Sequence, residues 1–156
     1  MTKPIDKAEV LNRAELFSGL PSKTLAAIAL ISELRSFEKG DVIYSVGDDA
    51  DNVYVLVSGL VEFTLGREGG SQSLASIIMS SRHVFGWAAL VDGQPRRVAA
   101  ADCLEASTVL AINGRRLMEI LEREPSAGFL VMRRLSDMIA RNFMDAGRRR
   151  SRSFGM

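Results

Sequence analysis

The sequence predicts a mainly β domain with flanking helices, an α+β arrangement. A β-roll of the jelly-roll or double-stranded β-helix type follows N-terminal helices and precedes a long C-terminal helix. Two observations predict this. Between residues 35 and 113 the apolar residues form short runs that glycine and aspartate turns separate at intervals of about ten residues, which is typical of a roll or barrel. On both sides of that region the apolar residues recur at the helical period of about 3.6.

Residues 1–34 form the predicted N-terminal helical segment. A short helix is expected over residues 8–17, and Gly19 and Pro21 break the helical pattern after it. Ser22 is expected to cap a second helix, because serine is a preferred N-cap residue. The apolar positions of this second helix are Leu25, Ile28, Ala29 and Leu34.

Residues 35–113 form the predicted β-roll. Its apolar runs are rich in valine, isoleucine, tyrosine and threonine, which favour strands, and its glycines supply turns and corners. The strands are expected at residues 41–46, 52–57, 60–65, 74–79, 98–101 and 107–112.

The helical period returns in residues 114–147. Asn113 is expected to cap the first helix there, and a longer helix begins at Pro125 or the serine after it. Gly147 is expected to end that helix. Residues 148–156 are expected to form a basic, disordered tail, because they contain four arginines and no acidic residue.

One face of the long helix has the spacing of a coiled coil. Met132, Leu135, Ile139, Asn142 and Ala146 alternate steps of three and four residues. The apolar stripe either packs entirely on the domain's own β-roll or leaves one side for a partner helix. Asparagine at a seam position sets the register of parallel dimers, so the pattern favours a homodimer formed through Met132, Leu135, Ile139 and Asn142.

Composition limits the class of protein. The 156 residues carry a net charge of +1 and are 47% hydrophobic, as expected for one folded domain. The apolar runs are too short to span a bilayer, and the charged N-terminus has no targeting segment, so we expect a cytoplasmic protein without membrane association. The only histidine, His83, and the only cysteine, Cys103, have no motif around them. We therefore expect no enzyme activity, no metal and no required cofactor.

Several motifs occur in an order that resembles the cyclic-nucleotide-binding domain family, with its β-roll of the catabolite-activator type. They are Phe37, Gly40-Asp41 and Ile43; Gly47-Asp48; Val53-Tyr54 and Gly59; Phe85-Gly86, Ala89-Leu90 and Pro95-Arg96. The resemblance extends over roughly residues 15–145. The family has DNA-binding or other output domains beside this fold, and the few residues after the long helix predict a stand-alone domain without a DNA-binding domain.

The resemblance implies a phosphate-binding cassette in the loop 85–101. In the family, backbone N–H groups of a short helical turn and one arginine bind the phosphate, and a glutamate accepts hydrogen bonds from the ribose 2′-hydroxyl. Carried over by position, Phe85 and Gly86 begin the cassette, and the cradle would comprise Gly86, Trp87, Ala88 and Ala89. Arg96 would be the phosphate clamp, followed by Arg97 and Val98.

The cassette departs from the family at three positions. Trp87 replaces the glutamate, and indole has one N–H donor and no acceptor for a ribose hydroxyl. A lost hydrogen bond in a buried site costs about 1–3 kcal/mol, so cAMP or cGMP would bind more weakly. Arg97 and Val98 are larger than the usual residues. For Arg97, exposure to solvent on an alternating strand is slightly favoured over a ligand role.

Three interpretations remain open. The domain binds a cyclic nucleotide weakly or differently, with Trp87 stacking on base or sugar; it binds another anion between Arg96 and Arg97; or Trp87 fills the cavity. The favoured hypothesis is a regulatory ligand-sensing domain that passes binding of cAMP, cGMP or a related anion to its C-terminal helix. The alternative is a ligand-free dimerisation or protein-interaction scaffold. The expected partners are a nucleotide or other anion for the sensing domain, and a second copy of the chain or another protein for either hypothesis.

Overall fold

The computed structural model describes residues 4–65, 76–79, 81–91 and 96–153. Two helices, α1 (Lys7–Arg13) and α2 (Ser22–Leu30), precede eight strands and are followed by α3 (Gly114–Arg123) and α4 (Pro125–Ser153). The strands are β1 (Ser32–Phe37), β2 (Val42–Tyr44), β3 (Asn52–Ser58), β4 (Val61–Leu65), β5 (Ser76–Met79), β6 (Val84–Phe85), β7 (Ala99–Cys103) and β8 (Ser107–Asn113). A 3₁₀ turn, Trp87–Leu90, lies between β6 and β7.

The strands form two four-stranded antiparallel sheets. One has the order β1-β8-β3-β6 and the other the order β2-β7-β4-β5. The predicted β-roll with flanking helices is therefore confirmed.

Strand β3 is buried on both faces and separates two apolar cores. Val53 and Val55 belong to the helix-side core, which the sheet shares with residues of all four helices. Tyr54 and Leu56 point the other way, into the interior of the roll. Because side chains alternate along a strand, the continuous apolar run 53–57 fits this doubly buried position.

The N-terminal segment differs from the sequence prediction in three ways. Helix α1 ends at Arg13, four residues before the predicted end, because Ala14 adopts an extended conformation. Ser22 lies inside α2, whose N-cap is Pro21 and has no side-chain cap hydrogen bond. The helical segment ends at Leu30, and residues 32–37 form β1, which the pattern did not predict; its pairing with β8 places Leu34 opposite Leu110.

The C-terminal helices also differ from the prediction at one end. Asn113 caps α3 as predicted, accepting a hydrogen bond from the Arg116 N–H at 3.0 Å. Gly147 does not end α4, which continues to Ser153, so residues 148–153 are helical and not a disordered tail. One glycine costs a helix interior only about 1 kcal/mol, and the arginines that follow are good helix formers. Residues 154–156 lie outside the described residues.

Candidate ligand site

The predicted cassette 85–101 comprises β6, the 3₁₀ turn and the start of β7. The short helical turn expected after the glycine is present. Gly86 precedes it in the left-handed conformation at φ +79°. Residues 92–95, including Pro95, are not among the described residues.

Gly86 lies against the side chain of Arg97. A Cβ added to Gly86 would be 3.1 Å from the Arg97 Nη1, the Asn52 carbonyl oxygen and the Tyr54 ring. The left-handed φ favours glycine, and a side chain at this position would be tightly packed. The glycine of the motif therefore permits a close approach of backbone and arginine.

Arg97 is buried, so the expectation that it faces solvent is wrong. The residue is only 4% exposed to solvent. Nη1 donates to the Gly86 carbonyl at 2.9 Å and Nη2 donates to the Asn52 carbonyl at 2.5 Å. The guanidinium also lies 4.2 Å from the centroid of the Tyr44 ring, a cation–π distance.

The positive charge of Arg97 has no counter-charge among the described residues. The ion pairs found in residues 4–65, 76–79, 81–91 and 96–153 do not include Arg97. Its Nε is buried and has no hydrogen-bond partner within that part of the chain. A buried cation without a counter-charge is costly, since desolvation opposes the charged form. The arrangement is therefore suited to an anionic ligand that reaches the free donors.

The backbone of Arg97 is also fixed. Its N–H donates to the Asp48 carbonyl at 2.8 Å, and its carbonyl accepts from the Gly47 N–H at 2.9 Å. Residues 47–48 are the Gly-Asp pair of the family pattern. This pair therefore sets the position from which Arg97 enters the roll.

The neighbours of Arg97 point outward. Arg96 is exposed and its Nη1 donates to the Gly47 carbonyl at 3.1 Å. Val98 is 50% exposed. The structure thus places Arg97, and neither neighbour, inside the roll; a ligand role for Arg96 and Val98 stays a prediction.

Trp87 does not line the interior of the roll. It is partly buried and packs against the helix-side core, to which Leu90 of the same turn also belongs. The interpretation of Trp87 as the residue that fills the roll cavity therefore finds no support in its position. In the predicted N–H cradle, Ala88 is buried, and the Ala89 N–H donates within the turn to the Gly86 carbonyl at 3.3 Å.

Four aromatic rings occupy the interior beside Arg97, and we call them the interior rings: Tyr44, Tyr54, Phe63 and Phe85. Tyr54 stacks on Phe85 with centroids 5.2 Å apart, and Phe63 meets Phe85 edge-on at 5.0 Å. Burial raises the pKa of the Tyr44 hydroxyl well above its usual range, and the charge of Arg97 opposes that rise. Phe85 was predicted as part of the cassette, whereas Tyr44, Tyr54 and Phe63 were not predicted as site residues.

The predicted dimer residues of α4 differ in how deeply they are buried. Leu135 is 4% exposed and belongs to the helix-side core, so its assignment to a partner-facing seam is wrong. Met132 and Ile139 are partly buried at the border of that core, and Asn142 is also partly buried. The large exposed apolar side chains of the helix are Phe129, Phe143 and Met144.

Other site classes find no basis in the described residues. No group of three or more histidine, cysteine or acidic side chains is placed to hold a metal ion in that part of the chain. None of its helices is long and apolar enough to span a bilayer. Cys103 is buried, and its burial raises the thiol pKa, which favours the unreactive protonated form.

Comparison with known proteins decides the family. The sequence profile of the cyclic nucleotide-binding domain matches residues 34–124, which contain all but the first two residues of the roll, and α3. The chain belongs to the cyclic nucleotide-binding domain family. Its buried arginine and Gly-Asp turn thus lie in a cyclic nucleotide-binding domain.

Proteins similar to this cyclic nucleotide-binding domain are of different kinds. It is 29% identical over 114 residues to a candidate potassium channel protein of Rhodopseudomonas palustris, covering 73% of this chain and 27% of that protein. It is 28% identical over 101 residues to a CRP-like cAMP-activated global transcriptional regulator of Mycobacterium tuberculosis, covering 65% and 45%. The chain thus spans less than half the length of these two relatives.

A solved structure is similar over almost its whole length. A candidate cyclic nucleotide-binding protein from Geobacter metallireducens superposes with a TM-score of 0.73 at 29% identity, covering 87% of this chain and 97% of that one. The two-sheet roll with its flanking helices is therefore the shared architecture.

Proposed function

We propose that this domain is a non-catalytic regulatory module that binds a small anion, cAMP, cGMP or a related phosphate, at Arg97 and responds through its C-terminal helix. One observation carries the proposal: Arg97 is only 4% exposed, and its guanidinium has no counter-charge in the described part of the chain. A guanidinium has five N–H donors, and two of them are used by backbone carbonyls. The remaining donors include Nε, which a phosphate oxygen would satisfy.

The nature of the anion is supported by the family and by one relative. The Mycobacterium tuberculosis relative is named as a cAMP-activated transcriptional regulator. Trp87 packs on the helix-side core and offers no acceptor, so this chain would hold the phosphate without the usual ribose contact. We therefore expect weaker binding of cyclic nucleotides than glutamate-containing relatives show, and less discrimination by the ribose.

A titration tests the proposal directly. Cyclic AMP, cyclic GMP and inorganic phosphate are each added while Trp87, the only tryptophan, is followed by fluorescence and the melting temperature is recorded. Ligand at about one hundred times its Kd should stabilise the fold by about 2.7 kcal/mol, because binding to the native state alone shifts the unfolding equilibrium. A response to phosphate alone would narrow the proposal to a simple anion. No response to any of the three at about 10 mM would contradict it.

We also propose that the domain is a homodimer through an outward stripe of α4. The stripe alternates three- and four-residue steps and contains Phe129, Met132, Ser136, Ile139 and Phe143. Phe129 is 71% exposed and Phe143 is 80% exposed, and none of the five residues is charged. Two large exposed aromatic rings on an uncharged helical stripe are typical of a helix–helix interface. This stripe replaces the predicted seam, with which it shares Met132 and Ile139.

Replacing both phenylalanines with serine should convert the dimer to a monomer. The double variant Phe129→Ser, Phe143→Ser removes the large apolar area of the stripe while leaving the buried face of α4 intact. Sedimentation equilibrium measures the mass of the wild type and of the variant. Leu30→Ser is the matched control, because Leu30 is 87% exposed and lies on α2. A wild-type protein that is monomeric at about 100 μM, or a variant that stays dimeric, would contradict the proposed interface.

A further inference from the structure

The C-terminal end of α4 is a short and strongly basic segment of helix. α4 continues to Ser153, and no acidic residue follows Asp145 in it. Four of the five positions 148–152, which we call the arginine segment, are basic: Arg148, Arg149, Arg150 and Arg152. At a helical rise of about 1.5 Å per residue, the segment lies about 35–40 Å from Pro125, where α4 begins. It therefore cannot reach the other end of its own helix.

An acidic cleft lies beside that other end. Its volume is about 520 Å³, and its charged wall residues are three carboxylates and one arginine: Asp51, Glu119, Glu122 and Arg115. None of these carboxylates takes part in an ion pair within residues 4–65, 76–79, 81–91 and 96–153. The end of α3 packs on the start of α4, since a Cβ added to Gly128 would be 2.8 Å from the Leu121 carbonyl oxygen. The glutamates of the cleft are thus close to the first turn of α4.

The outward stripe of α4 can pair with a second copy in either direction. Phe129 and Phe143 are each seven residues from Ser136, so the stripe is symmetrical about that serine. In a parallel pair each phenylalanine would meet its own equivalent, and in an antiparallel pair Phe129 would meet the partner subunit's Phe143. Asn142, which favoured the parallel register in the predicted seam, is outside the stripe. The apolar contacts therefore do not decide the direction.

The charges distinguish the two directions. In a parallel pair the two arginine segments would lie side by side, and two sets of four like charges would repel each other. In an antiparallel pair with Phe129 against the partner subunit's Phe143, position 150 is level with position 122 of the other chain. Each arginine segment then lies beside the acidic cleft of the other chain. Facing opposite charges fix the register and orientation of an interface.

We propose that the homodimer is antiparallel, with the arginine segment of each chain docked at the acidic cleft of the other. The proposal rests on the dimer through the outward stripe and adds to it a direction and a second contact. The partner that the arginine segment and the cleft fit is a second copy of this chain.

Distances between spin labels test the direction. Ser126→Cys and Met144→Cys place labels at two exposed positions outside the stripe, ten residues before and eight residues after Ser136. In the antiparallel dimer two labels at position 126 should be about 30 Å apart, and mixing the two labelled proteins should add a distance below about 20 Å. Wild type, whose Cys103 is buried, is the control for labelling. Distances below about 20 Å in each labelled protein alone would show a parallel dimer and overturn the proposal.

Neutral variants of the arginine segment test its contribution. Changing all four arginines to glutamine should raise the dimer dissociation constant about tenfold at about 50 mM salt, because charges that attract the other chain are lost. A parallel dimer predicts the opposite change, since the repulsion between the two segments would be relieved. Sedimentation equilibrium measures the dissociation constant. An unchanged or lowered constant in the variant would contradict the docking.

Charge reversal in the cleft tests where the segment docks. Glu119→Arg with Glu122→Arg should raise the dissociation constant about tenfold, and adding Arg149→Glu with Arg150→Glu should recover most of the loss. Glu38→Arg with Glu105→Arg is the matched control, because it reverses two exposed glutamates of the roll that are in no ion pair in the described ranges. An effect of the cleft variant no larger than that of the control would overturn the proposal.

This inference and the proposed function fail in different ways. A parallel dimer would remove the docking of the arginine segment and keep the dimer through the outward stripe. A monomeric wild type would remove both, and anion binding at Arg97 would still be decided by the titration alone.

Discussion

Replacing Arg97 with methionine should reduce the affinity for the anion by at least about thirtyfold. Removing one partner of a buried, hydrogen-bonded charge pair costs about 2–5 kcal/mol of binding free energy, and about 1.4 kcal/mol corresponds to a factor of ten. Methionine preserves much of the side-chain length while removing the charge and every donor. Isothermal titration with the cyclic nucleotide that binds wild type measures the loss.

Two further variants identify what Arg97 contributes. Arg97→Lys keeps the charge but not the planar fork, so affinity should fall by about tenfold, between wild type and methionine. Arg96→Ala should weaken binding less than either, because Arg96 is exposed and its charge is screened by solvent. If Arg96→Ala abolished binding while Arg97→Met did not, Arg96 would be the phosphate-binding arginine, as the family motif predicts, and our assignment of Arg97 would be wrong.

The stability of Arg97→Met gives an independent check. The variant leaves the Gly86 and Asn52 carbonyls without the arginine donors, which destabilises the fold. It also removes a buried charge that has no counter-charge among the described residues, and this stabilises the fold. The two effects oppose each other, so urea denaturation should show a change in unfolding free energy below about 2 kcal/mol. A much larger loss would mean that Arg97 is mainly structural.

The fold could be predicted from the sequence, but which of Arg96 and Arg97 points into the roll could not. The glycines and aromatic residues mark turns and strands in a fixed order, and that order suffices for the roll. Which arginine points inward depends on strand register, and a slip of one residue exchanges the two faces. Here the pairing of β2 with β7 shifts between Val42 and Tyr44, and Asp49 bridges to Arg96. Such a register shift leaves no signal in the spacing of the motif.

The outward stripe of α4 shows a second limit of sequence patterns. Two series of three- and four-residue steps overlap on this helix, and both contain Met132 and Ile139. Leu135 of the first series is buried in the helix-side core, whereas Phe129 and Phe143 of the second series are exposed. Both series have the same spacing, so only the packing of α4 on the roll shows which series is buried and which is exposed. Strand β1 was missed for a related reason, because its pairing with β8 is a tertiary contact.

The Phe85→Ala variant should lose about 3–5 kcal/mol of unfolding free energy. Phe85 is 2% exposed and contacts Tyr54 at 5.2 Å and Phe63 at 5.0 Å between ring centroids. Truncating a buried phenylalanine removes its transfer free energy and leaves a cavity that rigid neighbours fill only partly. Phe143→Ala is the matched control, since that ring is 80% exposed; in monomeric protein, at concentrations below the dimer dissociation constant, it should change stability by less than about 0.5 kcal/mol.

The same variant links the core of the roll to the ligand site. Phe85 immediately precedes Gly86, and its ring stacks on the ring of Tyr54. The Tyr54 ring in turn lies beside the Arg97 guanidinium. Loss of the ring should therefore make the Gly86 carbonyl, which accepts a hydrogen bond from the Arg97 Nη1, more mobile. Anion binding should then be weaker in molecules that remain folded. Phe85→Leu, which retains most of the apolar volume, should recover much of the stability while recovering less of the affinity, because it lacks the flat face against Tyr54. If Phe85→Leu restored both to the same extent, the interior rings would serve packing alone, and the stacked geometry would have no part in positioning Arg97.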